Sequence, residues 1–156
     1  MVAIRSISLA IAVVTCTLFW ASTIGVAWVK NKMYPDSSIG IWRICVPIHG
    51  CSSISYDDST DVWHNAVRAF VCLAIIANFV GIGLLAAGFW SPKIRGIIAT
   101  FPMFLASLFE IIALSVYAGK FELPEAHQFG WSFILGWVAS VCAIASAILA
   151  IFSEKY

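Results

Sequence analysis

Cys45 and Cys51 stand six positions apart with His49 between them, in the stretch SSIGIWRICVPIHGC. Residues of these types do one of three things: the thiols close a structural disulfide, cycle as a redox pair, or join the imidazole to hold a metal. A redox dithiol favours C-x-x-C at a helix N-terminus, and CVPIHGC offers neither. A lone imidazole beside two sulfurs bonded to each other is no ligand set, so no metal and no cofactor are expected. Two further ionisable groups, Arg68 and Glu110, lie inside apolar runs. They can pair with each other, or Glu110 can carry a proton or cation or contact a partner's helix. Asp57, Asp58 and Asp61 precede an apolar run. They can line an aqueous path, but an acidic cluster there more simply faces a helix N-terminus and water.

What must position these residues is a membrane bundle. The chain of 156 residues is 62% hydrophobic and only 11% charged, outside the range of a soluble domain. Apolar runs long enough to cross a hydrocarbon core fall at about 7–28, 67–89, 97–118 and 131–152. The first reads as a retained span, because no clean small-x-small cleavage site follows it. Residues 1–156 therefore form one tetraspan domain, with no linker, charge block or low-complexity segment. A net charge of +1 argues against nucleic acid as a partner.

Orientation follows from the basic residues of short loops. Arg5, Lys93, Arg95 and Lys155 lie on one side with only Glu154 against them, whereas loops 29–66 and 119–130 balance their lysines and arginines with acids. Both termini are thus expected in the cytosol, and both loops outside, in the plasma membrane. Of the five cysteines, Cys16, Cys72 and Cys142 fall within spans, so Cys45 and Cys51 share the oxidising side and read as a disulfide. Around them IGIWRIC alternates and CSSISY is β-branched and polar by turns, which predicts a small sheet. So small a sheet needs the disulfide within it and tryptophans packed beneath it.

These residues also carry a resemblance. Trp28, then Gly40, Ile41 and Trp42, then Cys45, Cys51 and Arg68 resemble the W…GLW…C…C…R signature of the claudin, peripheral myelin protein and epithelial membrane protein superfamily. DVWHNAVRAF and FGWSFILGWVAS are similar to the epithelial membrane protein and lens fibre membrane intrinsic protein branch, and the first loop is shorter than in true claudins. The resemblance implies a left-handed all-α four-helix membrane bundle capped by a small extracellular antiparallel β-sheet. It also implies a non-enzymatic role in cell–cell contact or junctions, or alternatively as an auxiliary subunit of an ion channel.

Within the spans, Ala139, Ala143 and Ala147 recur every fourth place, with Gly136 and Ser140 alongside. Such stripes let helices approach closely inside a bundle or at a dimer face. Asn78 is a further hydrogen-bonding candidate in the second span. A four-span enzyme of the glutathione or eicosanoid type would need several membrane-buried arginines, and only Arg68 qualifies. The expected partners are membrane lipids and other membrane proteins, as self-association or a channel complex. Candidate contacts are Ile48, Phe121, Leu123 and Phe129 in the loops and Glu110 in the membrane. No glycosylation sequon occurs at Asn31, Asn65 or Asn78, and FSEKY at the end offers no expected ligand for a scaffold domain.

Overall fold

The computed structural model describes residues 2–34, 36–54, 62–90, 96–121 and 125–153. Four helices, α1 (Val2–Ile24), α2 (Val62–Trp90), α3 (Gly96–Lys120) and α4 (Trp131–Phe152), are each long and apolar enough to cross a membrane. In lipid, a helix satisfies its backbone groups internally, so the runs fold as helices whatever their β-branched content. α1 packs chiefly on α4, α4 on α3 and α3 on α2, and a shorter α1–α2 seam closes the ring. Pro102 lies within α3, two turns from its start.

Between helices the described residues make five short strands: β1 (Val29–Asn31), β2 (Ser38–Ile39), β3 (Arg43–Val46), β4 (Gly50–Ser53) and β5 (His127–Phe129). They pair antiparallel in the order β4-β3-β2-β1-β5. The sheet is thus wider than the first loop alone supplies, because β5 of the second loop completes it beside β1. α1 ends at Ile24, four residues short of the apolar run drawn to Trp28, and Trp28 belongs to the approach to β1.

Three layers of buried side chains run down the bundle. Beneath the sheet lie Trp28, Ile41, Val67, Val71, Leu114, Tyr117 and Phe133. The middle layer joins Phe19, Ile75, Ala106, Ala139 and Ala143, and the far layer is built from Ala12, Leu85, Ala99, Met103, Ala147 and Ala150. Aromatics dominate the layer beneath the sheet, and alanines with Leu85 and Met103 make the far one. Ala139, Ala143 and Ala147 are completely buried, so this stripe serves packing within one bundle.

Serine and asparagine supply bonds across the seams. Ser8 and Ser146 each donate to the other's carbonyl, at 2.8 and 2.7 Å, joining α1 to α4. Ser107 donates to Ser140 O at 3.2 Å between α3 and α4. Asn78 faces α1, where its Nδ2 donates to Ala12 O at 3.2 Å.

Candidate interaction surface

The β3–β4 hairpin turns through Pro47, Ile48 and His49. His49 N–H donates to Val46 O at 3.2 Å, and Gly50 follows at φ +72°, a left-handed conformation that a side chain would disfavour. Proline early in the turn and glycine at its end are the chemistry of a three-residue hairpin loop. Cys45 and Cys51 stand directly opposite each other in the register and are joined by a disulfide. The bond fixes the pairing one step from the turn, where so few ladder bonds exist to hold it.

The bend that leads into β3 ties the sheet to the bundle. Gly40 lies so close to the end of α1 that a Cβ there would stand 2.8 Å from Gly25 O and 2.9 Å from the Val26 Cα, so only glycine fits without backbone movement. Ile41 next to it is completely buried in the aromatic layer. Its carbonyl accepts two bonds from α2, from Arg68 Nε at 2.8 Å and from His64 Nε2 at 3.0 Å. Arg68 Nη2 also donates to Ile54 O, just past β4, at 3.1 Å, and the guanidinium stands 4.7 Å from the centroid of the Trp42 ring. One arginine thereby holds both ends of the hairpin and the Trp42 ring.

Trp28 holds the other half. Completely buried, it donates from Nε1 to Ser22 O at 2.7 Å, satisfying a carbonyl in the last turn of α1. Its ring meets Tyr117 edge-on at 4.8 Å and Phe133 at 5.7 Å. Its own backbone donates to Ile39 O and accepts from Gly130 N–H, so both loops are stitched together through this residue.

A tryptophan under the sheet, the Gly-Ile-Trp bend, the hairpin disulfide and the arginine nearly two turns into α2 form a connected unit. The model of the PMP-22/EMP/MP20/Claudin family matches residues 1–150. This chain belongs to that family. Epithelial membrane protein 1 of Oryctolagus cuniculus is 24% identical over 92% of both chains. Epithelial membrane protein 1 of Homo sapiens is 26% identical, again over 92% of both. Lens fiber membrane intrinsic protein of Homo sapiens is 33% identical over 70% of this chain and 66% of its own length. The protein is accordingly a claudin-family multi-pass membrane protein with a disulfide between strands of its sheet.

Among the contact candidates, the claudin-type frame separates outward from inward residues. Ile48 stands at the hairpin tip with 87% of its surface exposed. Met33 and Tyr34, between β1 and β2, are 74% and 65% exposed and were not singled out by the sequence reading. Phe121 and Phe129 turn inward: both are half-buried, Phe121 stacks on Tyr117 at 5.4 Å and Phe129 on Phe133 at 4.3 Å. Leu123, Asp57, Asp58 and Asp61 lie outside the described residues.

Glu110 is completely enclosed by its own bundle, so the residue considered as a contact for a partner's helix is not presented to one. Nor does it pair with Arg68: among the described residues neither carboxylate oxygen has a hydrogen-bond partner, and Arg68 reaches the loop carbonyls instead. His64 escaped the sequence reading. Its signal was present, because it lies four residues before Arg68 and therefore on the same face of α2.

Proposed function

We propose that this protein has a structural, non-enzymatic role in cell–cell contact or junctions, acting in the plasma membrane with both termini cytosolic and the sheet outside. The observation that carries this reading is the rigidly held sheet with apolar tips. Ile48, Met33 and Tyr34 extend into water from elements anchored by a disulfide, Arg68 and Trp28. Exposed apolar side chains on a fixed frame are the usual anchors of protein contacts, and their ordering cost is met before the partner arrives. The relatives, named as membrane proteins of epithelium and of lens fibre, agree with it.

The test is aggregation of suspended cells that express the protein at their surface. Ile48→Ser should reduce aggregation several-fold while surface delivery, measured by antibody labelling, stays unchanged. Aggregation that survives Ile48→Ser combined with Tyr34→Ser, and a channel that co-purifies stoichiometrically in mild detergent, would replace this reading with the auxiliary-subunit one.

A further inference from the structure

A groove opens sideways between α1 and α2 just beneath the sheet. Its volume is about 400 Å³, and Trp20, Ile24, Trp42, Ile75, Ile76 and Phe79 line it together with Thr23 and Cys72. The hydroxyl of Thr23 is already spent on Phe19 O at 2.7 Å, so this side chain brings no spare donor to the wall. The groove exists because α1 leans on α4 and α2 on α3, which leaves the α1–α2 seam the shortest in the ring.

The α2 side of the groove is one stripe: Cys72, Ile75, Ile76 and Phe79 follow Arg68 at four, seven, eight and eleven residues. At 1.5 Å per residue, the distance from Arg68 to Phe79 is about 16 Å, close to half of the ~30 Å hydrocarbon core. A cation therefore stands at the mouth, against the ring of the groove-lining Trp42, and an apolar channel one leaflet deep runs below it. A phospholipid has the same layout, with phosphate at the interface and a chain reaching the midplane.

We propose that this groove binds one acyl chain of a phospholipid from the leaflet that meets the sheet, with the lipid phosphate at the Arg68–Trp42 mouth. The size favours a chain over a second copy of the protein. A volume of this order is that of a small-ligand pocket, which takes one chain. The guanidinium supplies the charge complementarity through its positive charge, which is held in place by the bonds of Nε to Ile41 O and Nη2 to Ile54 O. Trp20 and Trp42, which both line the groove, suit the boundary between glycerol and chain.

The protein reconstituted in phosphatidylcholine nanodiscs, with a trace of phosphatidylcholine bearing a photoactivatable diazirine in mid-chain, provides the test. Adducts should be enriched several-fold on the peptide holding Cys72, Ile76 and Phe79 over that holding Ile134 and Val141, which are 56% and 66% exposed on α4. Ile76→Trp should remove the enrichment without lowering the thermal midpoint. A diacylglycerol probe with the same chains but no phosphate should be enriched less. Even labelling of α2 and α4, equal labelling by the phosphate-free probe, or ready oxidative cross-linking of Cys72 between two copies would each overturn the proposal.

Discussion

Arg68→Ala removes one link between sheet and bundle, and its cost follows from the bonds that the guanidinium makes. The wild-type side chain donates to Ile41 O at 2.8 Å and Ile54 O at 3.1 Å and stands over Trp42 at 4.7 Å. A hydrogen bond from a charged group contributes about 1.5–3 kcal/mol net, and because Arg68 is only partly buried the lower end applies to each. The cation–π contact adds roughly 0.5–1 kcal/mol. Ile41 O keeps its bond from His64, so the carbonyl left without this donor is that of Ile54. The sum is about 3–4 kcal/mol, which for a chain of this size lowers the thermal midpoint by roughly 10 °C. Arg68→Lys keeps the charge but not the fork, and should lose about half as much. Thermal unfolding of the purified protein in detergent measures the total, and amide exchange over residues 38–54 should rise first. An unchanged midpoint in Arg68→Ala would refute the assignment and reduce Arg68 to a side chain reaching for water.

Two further outcomes test the frame. Cys45→Ser should lose about 2 kcal/mol of loop-closure stabilisation for the six-residue separation and lower surface delivery well below that of Cys16→Ser; equal delivery of the two variants counts against the staple. Glu110→Leu should be neutral or stabilise by about 1–3 kcal/mol in detergent unfolding, because the carboxyl is buried without a hydrogen bond; marked destabilisation would show that the carboxyl has work to do in the bundle.

The four helices were legible because lipid demands runs of a fixed length and composition, and this demand acts locally on the sequence. The disulfide was legible because, of the five cysteines, only Cys45 and Cys51 fall outside the apolar runs. The full sheet was not. β1, β2 and β5 have three residues or fewer, too short for any alternation to register, and β5 is held by pairing with β1, Val29 opposite Phe129, from the far end of the sequence. A strand made by long-range pairing leaves no periodic trace in its own residues. Glu110 misled for a related reason: charge chemistry says that a buried carboxylate seeks a cation, but the helix faces place the one arginine nearby under the loop carbonyls instead.

Trp28 shows where hydropathy stops being informative. It continues the apolar run of α1 without a break, so the run reads as membrane to its end. The helix nonetheless stops at Ile24, and Trp28 is buried in protein, against Tyr117 and Phe133, with Nε1 on the carbonyl of Ser22. Hydropathy scores the removal of a side chain from water and cannot distinguish lipid from protein as the place it goes. What separates the two is the backbone: Gly25 N–H still reaches Ala21 O, but the groups of Ala27 and Trp28 are bonded to Ile39, Gly130 and Ser132 rather than four residues back along a helix. The sheet thus begins inside the apolar run, and the same aromatic layer that ends α1 becomes the floor on which the exposed tips stand.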